Sequence, residues 1–231
     1  MRYEEPTMND VLRRSLISLA VFLLVLGLAL FLPAGIAWTE GWIFLAVFVL
    51  QMAIAALYLW RKNPDIVVAR SKFHAGTKWW DWVAVSFLLP SLMAIFPVAA
   101  LDYRWHRSSV PLWVIVTGYV LLTIGMLGSI RVEAVNKFAE PGVRIQTERG
   151  HRVIDTGPYA IVRHPMYATA IPLFVGIALA LGSYWALIPV AVASLVLIVR
   201  TALEDRMLQR ELPGYQEYAA RVRYRLIPGV W

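Results

Sequence analysis

Residues 167–199 read YATAIPLFVGIALALGSYWALIPVAVASLVLIV, 33 positions without one charged side chain. As a single helix this run would be about 50 Å long at ~1.5 Å per residue, too long for a hydrocarbon core of about 30 Å. Gly182-Ser183 interrupts it near the middle, so the spacing predicts two helices joined in a tight hairpin. Each arm is then somewhat short, and the pair must borrow flanking residues, thin the bilayer or stop before the far side. Working outward, four more apolar runs precede it, at about 16–32, 42–60, 82–101 and 110–130. Each approaches the roughly 20 residues a crossing helix needs, and the demand for internal backbone hydrogen bonding makes each of them helical.

The chain as a whole agrees. Of its 231 residues 59% are hydrophobic and 16% charged, against about 25% charged in ordinary soluble domains. Mean hydropathy is +0.61. A soluble domain and a disordered chain are both excluded, and the expected fold is an all-α polytopic membrane bundle of about six transmembrane helices. Residues 1–231 form one membrane domain: four spans in 1–130, then a long loop, the helical hairpin and a cytoplasmic tail in 131–231. With no cysteine, disulfides, thiolate metal sites, iron–sulfur clusters and a cysteine nucleophile are removed together.

Formal net charge is +7. The basic residues cluster beside apolar spans, where anionic lipid and the insertion machinery account for them better than nucleic acid does. Counted gap by gap, alternate connections hold 20 of the lysines and arginines and the others hold 2. This bias puts both termini, the 61–81 loop and the 131–165 loop in the cytoplasm, and requires an even number of spans. Gly35-Ile36-Ala37 has the small-residue look of a cleavage site, but the apolar run before it exceeds a signal-peptide core, so it reads as an uncleaved anchor. A multi-pass protein of a bacterial or archaeal inner membrane is expected.

The loop before the hairpin is far longer than the usual 4 to 6 residues, and ordered loops of that length tend to be functional. Pro141-Gly142, Gly150 and Gly157-Pro158 divide it into short pieces, with 143–146 and 152–154 extended. Pro165 biases His164 away from helix and suits the first helical position itself. His164 therefore stands at a helix start, where unpaired NH groups and the positive dipole end suit a carboxylate or phosphate, with Arg163 in support.

The run GPYAIVRHPMY, 157–167, resembles the Gly-x-Tyr-x-x-x-Arg-His-Pro-x-Tyr signature of the isoprenylcysteine carboxyl methyltransferase family, itself similar to membrane phospholipid methyltransferases. A second block is similar to that family in the same order: Arg200, the acidic pair Glu204-Asp205, then LPGYQEYAARVRYRLIP at 212–228. The resemblance covers roughly 136–228. It implies an integral membrane enzyme that moves a methyl group from S-adenosylmethionine to a lipophilic acceptor, an isoprenylcysteine-like carboxylate or a lipid headgroup. Carried over residue by residue, it implies cofactor contacts at Gln146, His151, Arg152, Val153, Ile154, Tyr159, His164, Pro165, Met166, Tyr167 and Glu204. Arg200 corresponds to a substrate-facing arginine, and Arg200 with Glu204 forms the implied catalytic pair. Gln146 lies closer to His151 than the family's spacing. Thr169 stands where the family commonly has Gly, which is expected to narrow the pocket, and Asp205 replaces a second Glu.

These residues also match the needs of a sulfonium cofactor, which carries a cation, an amino group, a carboxylate and an adenine. Glu204 or Asp205 can meet the amino group, the helix start near His164 the carboxylate, and Tyr159 and Tyr167 the adenine or sulfonium. Each has an ordinary alternative. Tyr at a membrane boundary is commonly an anchor, Arg200 at a span's end commonly snorkels, and Arg200 with Glu204 four positions on can be a surface pair worth about 0.3 to 0.5 kcal/mol. Glu211 and Glu217 belong to a solvated face. The four histidines lack metal-ligand spacing, so no metal is expected. An ionised carboxylate acceptor needs no base, whereas an amine would call on His164 or His151. The competing enzyme class is an NADPH-dependent membrane reductase of sterol-like or isoprenoid substrates, whose phosphates would draw on Arg144, Arg149, Arg152 and Arg163. A scaffold or small transporter is disfavoured by the lack of charges within the central spans.

Overall fold

The computed structural model describes residues 8–70 and 75–231, the side chains of 8–16 and of 68 aside. The N-terminal residues 1–7 and the 71–74 part of the 61–81 loop, both assigned above to the cytoplasm, lie outside the described residues. Eight α-helices follow in order: α1 Met8–Ala34, α2 Thr39–Lys62, α3 Pro64–Ala69, α4 Trp79–Arg104, α5 Leu112–Val135, α6 Pro165–Ala180, α7 Leu187–Glu211 and α8 Tyr215–Arg221. No strand occurs among the described residues, and the expected extended pieces at 143–146 and 152–154 are irregular backbone. α1, α2, α4, α5 and α7 are long and apolar enough to cross a membrane, and α6 is a shorter apolar helix. The protein is an integral membrane helical bundle.

The hairpin predicted at Gly182-Ser183 is present, with Gly182 at φ +69°, a left-handed conformation that suits glycine. The arms are unequal rather than uniformly short. α6 has 16 residues and α7 has 25, because α7 continues through Arg200 and the acidic pair to Glu211.

α6 makes up for its length by lying against α5 almost backbone to backbone. A Cβ placed on Gly118 would come within 2.3 Å of the Ala180 nitrogen, and one on Gly176 within 2.3 Å of the Leu122 nitrogen. Such proximity favours helix association where lipid supplies no hydrophobic drive. The contacts run in reverse order along the two helices: Gly118 meets Ala180, Gly125 meets Leu173 and Gly128 meets Thr169. α5 and α6 are thus antiparallel.

The hairpin tip meets the connection between α4 and α5. Ser183 donates to Asp102 Oδ2, and the Tyr184 backbone NH donates to Ser108 Oγ. Asp81, at the other end of α4, lies about 32 Å away along that helix at ~1.5 Å per residue, and it pairs with Arg200 of α7. The tip and the Arg200 level therefore occupy opposite ends of the bundle, so α6 runs from one end to the other.

Candidate functional site

Between the 136–164 loop, α6, α7 and α8 lies a hollow open to solvent. Its lining includes Gln146, His151, Arg152, Val153, Ile154, Tyr159, His164, Met166, Tyr167, Arg200 and Glu204. The two sequence blocks, separated by the hairpin, thus meet at one place. Pro165 is buried and does not line the hollow; it opens α6, with His164 as N-cap at φ −123°.

The adjacent carboxylates part company. Glu204 lines the hollow and accepts a hydrogen bond from the Tyr167 hydroxyl at 2.5 Å. Asp205, fully buried, faces away and does not line it. Its Oδ1 receives Arg163 Nε at 2.7 Å and the Tyr215 hydroxyl at 3.1 Å, with His164 Nε2 at 3.2 Å; its Oδ2 receives Arg163 Nη2, Gln209 and Arg225. Of the two acids offered above for the amino group, only Glu204 is placed to meet it.

Arg163 is not a free anion ligand, contrary to the expectation that it supports the helix start. Besides Asp205, its Nη1 donates to the Val222 and Arg223 carbonyls at 2.8 Å each. The backbone NH groups of Arg163 and His164 donate to the Tyr224 and Arg225 carbonyls. The tail is thereby strapped beneath the start of α6, fixing His164. Thr169 does not narrow the hollow either. Its methyl sits over Gly128 of α5 and its hydroxyl pairs with Ser129 and the Met166 carbonyl.

Arg200, 6% exposed, does not pair with Glu204 as a surface couple. Its Nε and Nη2 meet Asp81 of α4 at 2.6 and 3.0 Å, and Nη2 also donates to the Pro141 carbonyl at 2.6 Å. Its guanidinium carbon lies 5.4 Å from the centre of the Tyr167 ring, on which His164 also stacks at 5.9 Å. Tyr167 is therefore already engaged by two neighbours. Glu211, assigned to a solvated face, bridges to Lys78 at 2.8 Å.

The loop side is built around Gln146. Its amide donates to the Phe138 carbonyl and accepts from Arg149, and its backbone NH donates to His151 Nδ1 at 3.3 Å. An acceptor Nδ1 requires a ring unprotonated at that nitrogen. Burial first, and the nearby Arg144 and Arg149 charges against the opposing pull of Glu140, push His151 down to about 4. Phe138 packs on it with ring centres 4.6 Å apart. Tyr159 accepts from Asn136 at 2.6 Å, and burial outweighs that bond to push its phenol well above the usual range.

The sequence reading missed Phe138, Asn136, Asp81, Tyr215 and Tyr218. The tyrosines stood in the second block with no partner legible there; the others lie 10 or more positions before the motifs, with no chemical signature of their own.

Residues 113–213 match the family described as phospholipid methyltransferase. This stretch takes in α5, the loop, α6 and α7. Among individual proteins, the chain is similar to the cobalt-zinc-cadmium resistance protein CzcN of Cupriavidus metallidurans, 28% identical over 142 residues. The alignment covers 60% of this chain and 58% of that protein, so the chain matches little more than half of that relative's length.

Proposed function

We propose that this protein transfers a methyl group from S-adenosylmethionine to a lipophilic acceptor, with the donor held in the hollow and the acceptor's tail in the bilayer. The observation that carries this reading is the convergence of Tyr159, His164, Tyr167 and Glu204 on one hollow inside the matched region. The residues suit the donor's chemistry. Glu204 offers a carboxylate to its cationic groups, the Phe138–His151 pair with Tyr159 offers an aromatic wall, and Arg152 is exposed and without an ion-pair partner among the described residues for its carboxylate. Bound there, S-adenosylmethionine would supply a methyl group activated by its sulfonium, with the neutral thioether as the leaving group. The chain's own part is to position the partners and exclude water, which strengthens every charge interaction inside.

NADPH fits this hollow less well. Of the four arginines that would meet its phosphates, Arg144 bonds Glu140 and Glu148, Arg149 bonds Glu140 and Arg163 bonds Asp205, which leaves Arg152 as the one without an ion-pair partner among the described residues. By the 20-to-2 distribution of basic residues, this end of the bundle faces the cytoplasm.

Detergent-purified protein should bind labelled S-adenosylmethionine saturably, and Glu204→Ala should weaken that binding roughly 10- to 100-fold, the range for a lost charge-assisted contact. Saturable NADPH binding with none for S-adenosylmethionine would overturn the assignment.

A further inference from the structure

Asp81 lies outside the region that matches a known family, yet it ties α4 to two parts of the hollow's wall. It occupies the third position of α4, where the positive end of the helix dipole favours a carboxylate. Its side chain is fully buried. Both oxygens take Arg200, and Oδ2 also accepts the Val143 backbone NH at 2.8 Å. Main-chain contacts reinforce this connection: the Lys78 NH donates to the Val143 carbonyl, and Arg200 donates to the Pro141 carbonyl. The segment 141–143 is one lip of the hollow. One carboxylate thus fixes α4, that lip and Arg200 together.

The consequence for Arg200 is specific. Nε and Nη2 are committed, which leaves Nη1 without a protein partner among the described residues. A guanidinium has five N–H donors in a rigid plane, so clamping one edge sets the direction of the other. The clamp also cancels its charge.

We propose that Asp81 is a positioning residue: by clamping Arg200 to the 141–143 lip, it aims the remaining Nη1 donors at an oxygen of the methyl acceptor. Selection of the acceptor then rests on hydrogen-bond geometry more than on net charge. This rests on the methyl-transfer reading above.

The test measures methyl transfer from labelled S-adenosylmethionine to a total-lipid extract of the source cells in mixed micelles. Asp81→Asn should raise the half-saturating lipid concentration at least tenfold and leave kcat within about threefold, with cofactor stoichiometry intact. Arg200→Gln should raise the half-saturating lipid concentration at least as much, and adding Asp81→Asn to it should raise it no further, since the two act as one unit. Losses that multiply, or an unchanged half-saturation in Asp81→Asn, would overturn the proposal. Asp81→Asn alone leaves a buried cation unpaired and can fail to fold; the double variant carries no such charge and is then compared with Arg200→Gln alone. Amide exchange at Val143 is read on the same samples without turnover. It should be at least tenfold faster in the double variant than in Arg200→Gln, and equal rates would sink the clamp. Wild-type protein that binds no S-adenosylmethionine defeats the functional reading instead, and the exchange result still judges the clamp.

Discussion

Glu204 and Asp205 are neighbours in sequence, but successive positions on a helix point about 100° apart. One faces the hollow and the other a buried cluster of Arg163, His164, Tyr215 and Arg225. The acidic pair was visible in the sequence; its division of labour was not, because the partners that hold Asp205 come from three separate segments. His151 carries a prediction at this scale. Its folded value of about 4 lies below the ordinary ~6.5 of an unfolded histidine. Between those values the unfolded chain binds more protons, so the contribution of His151 to stability is full above about pH 6.5 and declines as the pH falls toward 4. Cofactor affinity should hold until the pH nears about 4, where the folded ring itself takes up a proton, and fall there, because protonation at Nδ1 breaks the Gln146 contact. Titration calorimetry of S-adenosylmethionine across this range should show that decline, and His151→Gln should flatten it.

Among elements, the pairing of α5 with α6 decides where the motif-bearing helix stands. The sequence marked both as apolar helices but gave no reason for them to be neighbours. Gly118 and Gly176 became meaningful only when their absent Cβ atoms were seen to leave room for the opposing backbone. Gly176→Ala should therefore push the helices apart and lower stability by at least ~1–3 kcal/mol, the usual cost of overpacking. Gly27→Ala in α1 meets nothing within 4 Å and should be neutral or slightly stabilising. Thermal unfolding of the two variants in the same detergent separates these outcomes. The Thr169 departure belongs to this interface as well: Gly128 opposite it accommodates the extra methyl, so the hollow is unaffected.

At the scale of the whole molecule, five helices among the described residues are long and apolar enough to cross a membrane, and α6 is a shorter apolar one. The hairpin tip reaches the α4–α5 connection, at the end of the bundle away from the Asp81–Arg200 pair, and the charge count leads to the expectation that both chain ends lie in the cytoplasm. Reporter fusions at the two ends should both signal the cytoplasm, and a tag inserted in the 181–186 turn should label from outside; opposite compartments for the two ends would contradict the topology. The sequence by itself determined a helical membrane protein, the hairpin and the two blocks of chemistry, because bilayer thickness and backbone hydrogen bonding act on local runs of residues. Only the tertiary structure decided which carboxylate faces the hollow, that Arg200 is clamped by Asp81 from 119 positions away, and that α6 runs end to end. Those outcomes depend on packing between distant segments, and no local pattern encodes a partner.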